Sequence, residues 1–296
     1  MLLVLCLLLS ACGAPAAQPS PAAAGSPPPI PSPGAEPPYD TLDVYIDGLL
    51  AAEGSMKDGK AYLEPESICS YLGIDCAASG DSSSFVLSLD GIEFSGSSDE
   101  EQLFCNGRYF YAPEGWFSDE GRLYLPCDLL CRFLCLNYSL ESSRSRVDIS
   151  SLGAHVIEGG KDYYELNYPS DQLFWLSQII YAEAFQQPME GLIGVGNVVL
   201  NRVKSPDFPA TVFDVIFQID HNIVQFEPIS NGSVYSQTDR RSYIAACLVL
   251  DGYSTVGDSL YFVNPKAGSG WFDRELELTA VIGDHNFYSP RGEDDA

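Results

Sequence analysis

The sequence contains few basic residues. Its 296 residues include 15 Lys and Arg against 41 Asp and Glu, which gives a formal net charge of −26. Nucleic-acid binding depends on clustered Lys and Arg side chains that neutralise phosphates, and electrostatic docking on anionic lipid needs the same cations. The charge balance therefore argues against both classes of protein. We interpret the acidity as a solvated surface property.

Histidine is scarce as well. The three histidines are His155, His221 and His285, and they show neither H-x-x-H nor H-E-x-x-H spacing. A zinc amidase or metalloprotease would require such a spacing on one helix. The sequence thus gives no reason to expect a metal or another cofactor.

Long apolar runs are confined to the start of the chain. Residues 2–10 form an apolar segment that is too short to span a bilayer but fits the hydrophobic region of a signal peptide. The following Leu9-Ser10-Ala11-Cys12 resembles a bacterial lipobox, which implies that residues 1–12 are a lipoprotein signal peptide and that Cys12 carries the lipid. An ordinary cleaved signal with an incidental cysteine is the alternative.

Residues 13–38 contain ten of the chain's twenty prolines, with Ala, Gly and Ser between them. Such a segment cannot bury a core and is typical of a disordered linker, which would reach about 80 Å if extended. Together with a lipid anchor, it predicts an extracytoplasmic protein on the outer face of the cell membrane, facing the cell wall.

The composition after residue 38 is that of a folded protein. The chain is 46% hydrophobic and 12% aromatic, and its length suggests two domains. Between residues 40 and 150, short β-like runs alternate with Gly, Asp and Ser, and a repeat occurs at an offset of 62: Gly59–Leu72 aligns with Gly121–Leu134. Each copy predicts a strand followed by a short amphipathic helix. This region resembles the copper amine oxidase N-terminal-like domain, which implies a small duplicated α/β accessory domain without copper.

Six cysteines fall within this first region: Cys69, Cys76, Cys105, Cys127, Cys131 and Cys135. The last three follow a C-x3-C-x3-C pattern, which lacks the C-x2-C spacing typical of zinc sites. Disulfides and buried thiols are both compatible with the pattern, and the sequence does not decide between them.

From residue 170 the apolar pattern becomes helical. Leu173, Leu176, Ile179 and Ile180 form a stripe that begins after a possible cap at Ser170 or Asp171. One turn further, the stripe reaches Glu183. A carboxylate on a buried helix face has a raised pKa, as a general acid near neutral pH requires, whereas a frayed helix end would leave it solvated.

The segments after this helix alternate between helical and strand-like patterns. Pro188 can open a second helix that runs to about Arg202, with Gly191, Gly194 and Gly196 leaving room for a close neighbour. Further helices are predicted at about 211–218 and 238–250. Residues 259–263 and 276–281 read as strands.

The motifs of this region resemble the germination-type, or SleB-type, cell-wall hydrolases over about residues 171–290. They are Tyr181-Ala182-Glu183-Ala184, Pro188-Met189-Glu190-Gly191, Val195 through Pro206, Gln225-Phe226-Glu227-Pro228, Leu260 through Pro265 and Ile282 through Tyr288. Asp220 through Val224 departs from the family pattern. The resemblance implies an α+β chain, in which a lysozyme-like, mainly helical catalytic domain with a small β region follows the accessory domain.

The resemblance also implies a function. Members of the family degrade peptidoglycan at the bond between N-acetylmuramic acid and N-acetylglucosamine, generally as lytic transglycosylases, and Glu183 matches the catalytic acid. Gln225 and Asn264 are candidates for binding N-acetyl groups, Phe226 and Tyr261 (with Trp271) for stacking on sugars, and His285 for orienting either substrate or Glu183. Core packing is the alternative for each aromatic residue and for His285.

Two alternative functions remain open at this point. If water replaces the substrate's own hydroxyl as nucleophile, the enzyme is a muramidase with Glu190 or Glu227 as second carboxylate. Glu190 also fits a role in stabilising the start of its helix. A protein that has lost activity and only binds the cell wall is the remaining reading.

Overall fold

The computed structural model describes residues 40–105, 107–157, 170–220, 222–267 and 270–291. These residues belong to one compact unit, Tyr39–Ala296. The signal peptide, Cys12 and the linker predicted for residues 1–38 lie outside the described residues. Within the described part of the chain, no helix combines the length and apolarity needed to cross a membrane.

The first region, residues 40–150, is built mainly of strands. In chain order its elements are β1 (Asp40–Ile46), β2 (Leu49–Lys57), β3 (Lys60–Leu63), α1 (Pro65–Leu72), β4 (Cys76–Gly80), β5 (Ser84–Leu89), β6 (Ile92–Ser97), β7 (Gln102–Cys105), β8 (Arg108–Tyr111), β9 (Phe117–Asp119), β10 (Arg122–Pro126), α2 (Cys127–Phe133), β11 (Asn137–Glu141), the 3-10 turn Ser142–Arg144 and β12 (Arg146–Ser150).

These strands form two sheets around one hydrophobic core. The larger sheet has the order β11-β12-β1-β2-β3-β10-β9, in which only β1 and β12 run parallel. The smaller one is a five-stranded antiparallel meander, β4-β5-β6-β7-β8. Alternate residues of β5, Phe85, Leu87 and Leu89, point into the core, as the period of two in a strand requires.

The repeat is visible in the order of elements. The sequence β2-β3-α1-β4-β5 recurs as β9-β10-α2-β11-β12 at the same offset in the chain. Each copy has the strand followed by a short helix that the repeat predicts, and the two repeated strands β3 and β10 pair antiparallel through Leu63 and Leu125. The resemblance to the copper amine oxidase N-terminal-like domain remains a prediction.

The cysteines of this region lie in or near its core as thiols. Cys69, Cys105, Cys127 and Cys131 are buried, and the sulfur atoms of Cys127 and Cys131 are 4.0 Å apart on the same face of α2. They pack as small apolar residues. For these four residues the structure shows buried thiols, whereas Cys76 and Cys135 are half-buried.

The second region is mainly helical, with a small sheet. Its elements are α3 (Ser170–Ala184), α4 (Met189–Lys204), α5 (Val212–Ile216), β13 (Ile219–Asp220), β14 (Ile223–Val224), α6 (Glu227–Asn231), the 3-10 turn Ser233–Tyr235, α7 (Arg240–Leu250), β15 (Tyr261–Val263), the 3-10 turn Pro265–Ala267, α8 (Gly270–Glu275), β16 (Leu276–Ile282) and β17 (His285–Pro290). The predicted helices and strands are present, with ends shifted by a few residues.

Helices α3, α4 and α7 pack together over a second core, and the sheet β15-β17-β16 lies beside them. Small residues on α4 permit this packing. A Cβ atom on Gly196 would lie 2.9 Å from Ile180 Cδ1 of α3 and 2.9 Å from Val249 Cγ2 of α7. The prediction that glycines of this helix admit a close neighbour is confirmed.

The two regions meet between β8 and the end of α7. Arg108 Nε of β8 donates to Asp251 Oδ2 at 2.8 Å, and the backbone amide of Tyr111 donates to the hydroxyl of Tyr253 at 3.2 Å. Arg132 places its guanidinium 4.5 Å from the centre of the Tyr253 ring and also donates to its hydroxyl. The segment after α7 is therefore held by side chains of the first region.

Candidate active site

Glu183 stands on the last turn of α3, and the apolar stripe of that helix explains its position. Leu176, Ile179 and Ile180 are fully buried, and Glu183 continues the same face. The helix ends one residue later at Ala184, so the carboxyl group lies half-buried at the rim of the core. The frayed end considered as an alternative is not observed.

The surroundings of Glu183 favour its neutral form. Burial is the main cause and the carboxylate of Glu227 the second, and together they raise the pKa of Glu183 to about 7, while the positive charge of Arg202 acts in the opposite direction. A carboxyl group with this pKa can give up a proton and take it back near neutral pH.

Arg202 is the residue that sequence reasoning missed. Its side chain is only 5% exposed, and burial lowers its pKa to about 10, against the effects of Tyr261 and Glu183. The signal was present in the sequence: Leu192, Val195 and Val199 form the buried stripe of α4, and one further turn of that stripe ends on Arg202. The helical period thus places Arg202 on the buried face of α4, as it places Glu183 on that of α3.

Aromatic rings and one backbone carbonyl hold the Arg202 guanidinium. Its carbon lies 5.0 Å from the ring centre of Phe208, 5.1 Å from that of Phe226 and 5.6 Å from that of Tyr261. Nε donates to the carbonyl of Leu260 at 2.8 Å, whereas Nη1 is buried without a hydrogen-bond partner in the described part of the chain. Cation–π contacts of this kind are worth about 2 kcal/mol when desolvated.

The segment that precedes Tyr261 is fixed by amide side chains of α4. Asn197 donates to the carbonyl of Tyr253 at 2.6 Å and accepts from the amide of Thr255 at 3.0 Å. Asn201 donates to the carbonyls of Gly257 and Ser259 at 2.8 and 3.0 Å. Arg202 and Tyr261 are therefore positioned by the same face of α4.

The two candidate second carboxylates occupy different surroundings. Glu227 is exposed in the first turn of α6, and it is the carboxylate that affects the pKa of Glu183. Glu190 is exposed in the first turn of α4, whose N-cap Pro188 makes no side-chain hydrogen bond. The structure thus associates Glu227 with Glu183, and the position of Glu190 fits the stabilisation of its helix start.

Phe226 and His285 lie in the core. Phe226 is 2% exposed and packs against Phe262 and Arg202, so in this conformation it offers no face to a sugar. His285 is 6% exposed, its ring contacts Phe262 at 5.3 Å, and burial lowers its pKa. For these two residues the structure shows the core packing that was the alternative to a substrate contact.

Tyr261, Gln225 and Asn264 are half-buried and reach solvent. Tyr261 joins Glu183 around Arg202, whereas the side chain of Gln225 donates to the carbonyl of Ile223 and that of Asn264 accepts from the amide of Lys266, both close in sequence. Trp271 is 52% exposed on α8. Their roles in substrate binding remain predictions.

The described residues contain no cluster of three or more His, Cys, Asp or Glu side chains that could hold a metal ion. His221, which lies in the segment that departs from the family pattern, is outside the described residues. The raised pKa of Glu183, beside the buried cation of Arg202, suits this site to proton transfer.

The segment that directly follows Glu183 in the chain matches a known protein family. Residues 186–288 match the family described as Cell Wall Hydrolase, and the matched range begins just after Glu183 and contains Arg202. The chain is 32% identical over 121 residues to a spore cortex-lytic enzyme of Halalkalibacterium halodurans. The aligned segment covers 40% of this chain and 35% of that protein. It is 31% identical over 121 residues to the Bacillus subtilis spore cortex-lytic enzyme, covering 40% of this chain and 38% of that protein.

A solved structure, the catalytic domain of the germination-specific lytic transglycosylase SleB from Bacillus anthracis, is 27% identical and covers 42% of this chain and 98% of its own, with a TM-score of 0.38. The chain spans well under half the length of the two spore cortex-lytic enzymes above. The similarity to cell wall hydrolases thus lies in the second region, at residues 186–288.

Proposed function

We propose that this protein degrades peptidoglycan by cleaving the bond between N-acetylmuramic acid and N-acetylglucosamine, as a lytic transglycosylase. The half-buried Glu183, with its pKa of about 7, is the observation that carries the proposal. The match of residues 186–288 to cell wall hydrolases and the similarity to spore cortex-lytic enzymes support the substrate class.

In the first step Glu183 acts as a general acid. Its protonated carboxyl group donates to the glycosidic oxygen, the bond to C1 of the muramic acid breaks, and an oxocarbenium-like centre develops at that carbon. Glu183 becomes a carboxylate in this step. The buried cation of Arg202 stabilises the new negative charge, because the two charges interact at low solvent exposure.

In the second step the same carboxylate acts as a general base. It removes the proton from the C6 hydroxyl of the muramic acid, whose oxygen attacks C1 and closes a 1,6-anhydro ring. The step returns the proton to Glu183, so the enzyme is regenerated without a second carboxylate.

Water is the alternative nucleophile. Glu227, which already affects the pKa of Glu183, would then activate the water, and the product would carry a reducing end. A catalytically weak or inactive lipoprotein that only binds the cell wall is the alternative from a different functional class.

The remaining proposals concern location and the first region. We propose that residues 1–12 are a lipoprotein signal peptide, that the lipid on Cys12 anchors the chain to the outer face of the membrane, and that residues 13–38 are a linker. Residues 40–150 would be an accessory domain of the copper amine oxidase N-terminal-like type, and residues 171–290 the catalytic domain. No cofactor is needed by this mechanism, and peptidoglycan glycan strands are the expected partner.

Purified peptidoglycan, digested with the full chain and with its Glu183→Gln variant and analysed by mass spectrometry, tests the proposal. Anhydro-muropeptides from the parent, reduced about 100- to 10,000-fold in the variant, are expected for a general acid. Reducing ends would establish hydrolysis, and no release by either protein would establish the wall-binding alternative. Spore cortex and vegetative wall as parallel substrates distinguish the two biological targets.

A further inference from the structure

The outer face of the five-stranded sheet, on strands β4 to β7, carries serine and apolar side chains. Val86, Ser88, Ser95 and Phe104 point outward there, because their neighbours in each strand fill the core. Glu93 is the one acidic side chain among the outward positions described on these strands. A nearly uncharged face stands out in a chain with a net charge of −26.

A straight row of side chains crosses this face. Ser79, Val86, Ser95, Phe104 and Tyr109 lie directly opposite one another on the five successive strands. At about 4.8 Å between neighbouring strands, the row extends over roughly 19 Å. Ser95 lies at its centre, and the neighbouring Phe104 is 42% exposed and contacts the ring of Tyr109 at 5.3 Å.

Two depressions that share Ser95 and Phe104 form a groove over the row from Val86 to Tyr109. A depression of about 910 Å³ lies above Val86, Ser95 and Phe104, and an adjoining one of about 340 Å³ is bounded by Ser95, Phe104, Tyr109 and Arg240. Arg240 belongs to α7, so the second region forms one wall of the groove and the sheet forms its floor. Ligand sites are common where two such parts meet.

Helix α7, which forms this wall, also contacts the loop that follows Glu183. Arg241, the neighbour of Arg240, donates to the backbone carbonyl of Gln187 at 3.2 Å, and Gln187 lies in the turn after α3. Arg240 itself is paired with Glu100, which neutralises its charge. The wall that Arg240 forms therefore adds no net positive charge that would favour an anionic polymer.

We propose that this groove is a second binding site for a carbohydrate strand, outside the catalytic centre. The exposed ring of Phe104 presents an apolar face to the C–H side of a sugar, and the serine hydroxyls both donate and accept hydrogen bonds. Small side chains let a polymer approach the backbone closely. The occupant rests on the proposed function, because the glycan strand of peptidoglycan is a long polymer that can contact the protein outside the catalytic centre.

The test measures binding without cleavage. Full-length Glu183→Gln protein is titrated with glycan strands freed of peptide stems. The titration is repeated with the same protein carrying Phe104→Ala or Ser95→Gln as a second substitution. Ser95→Gln fills the middle of the row without introducing a charge. Tyr138→Ala is the matched control, because Tyr138 is an aromatic residue of the same 42% exposure on β11. Phe104→Ala and Ser95→Gln are expected to weaken binding about tenfold, at an unchanged thermal midpoint, and Tyr138→Ala to leave it unchanged.

Equal affinities for the Phe104, Ser95 and Tyr138 variants would overturn the proposal, as would an absence of binding by the parent. A parent that sediments as a dimer and a Phe104→Ala variant that sediments as a monomer would instead identify a self-association surface. The product assay with intact Glu183 is independent of this titration, so a protein that binds strands without cutting them disproves the proposed activity and leaves the groove in place.

Discussion

Glu183 and Arg202 act on each other's ionisation at the buried end of α3. The guanidinium of Arg202 lowers the pKa of Glu183 against the effect of burial, and the Glu183 carboxylate raises that of Arg202. The proton on Glu183 is thus held by burial and by Glu227, while Arg202 favours its release. This balance determines how the activity and the stability of the protein depend on pH.

The pH dependence of activity follows from the two neighbours of Glu183. A general acid must be protonated, so kcat/KM is expected to fall on the alkaline side around pH 7. Glu227→Gln removes the like charge and is expected to move this limb to lower pH, whereas Arg202→Gln removes the opposing cation and is expected to move it to higher pH. Shifts in the same direction for both variants would contradict the arrangement.

Stability should show the same ionisation in the absence of substrate. The folded protein holds the Glu183 proton more tightly than the unfolded chain, where the pKa is near 4.5, so this contribution to stability is present below pH 4.5 and is lost as the pH rises through 7. Gln cannot ionise. Between pH 4.5 and 7, the free energy of unfolding of Glu183→Gln, measured with urea, should therefore rise by roughly 2–3 kcal/mol relative to that of the parent. If the difference in unfolding free energy between variant and parent stays constant across this pH range, Glu183 does not have a raised pKa in the folded protein.

The ion pair between the two regions is expected to matter because it is buried. Arg108 and Asp251 are 15% and 2% exposed, and Arg108→Ala leaves the Asp251 carboxylate buried, which should cost about 3 kcal/mol of unfolding free energy. Lys266→Ala is the matched control, since its pair with Asp284 has a similar distance, 2.9 Å, but exposures of 78% and 51%. That substitution should cost about 0–1 kcal/mol. Equal losses in both variants would show that burial is not the cause.

The tight contact of α4 with the small sheet gives a packing prediction. A Cβ atom on Gly194 would lie 2.9 Å from Phe287 Cζ and 3.0 Å from Val256 Cγ1, so Gly194→Ala should destabilise the protein by about 1–2 kcal/mol despite its better helix propensity. Gly270→Ala on α8 has no atom closer than 3.9 Å and serves as control. Thermal unfolding distinguishes the two, and a stabilised Gly194→Ala variant would show that the packing relaxes at no cost.

Much of the second region follows from local patterns. The stripe from Leu173 to Ile180 predicted α3, Pro188 predicted the start of α4, and the strands predicted at 259–263 and 276–281 correspond to β15 and β16. Helices and strands of this kind depend on neighbours within a few residues. Such neighbours are readable from the sequence.

Contacts between distant residues were not predictable in this way. Arg108 and Asp251 are 143 positions apart, and no local pattern indicates their pairing. The burial of Phe226 and His285, both candidates for substrate contact, likewise depends on Phe262 and Arg202, which approach them only in the folded chain.

The sequence by itself determined where Glu183 stands, because the helical period directs its side chain to the buried face of α3. Only the tertiary structure decided its acidity, since the pKa depends on how much solvent the surrounding chain excludes and on two charges, Glu227 and Arg202, that come from other helices. Exclusion of solvent and the approach of these charges are properties of the packed molecule, and no local pattern around residue 183 encodes them.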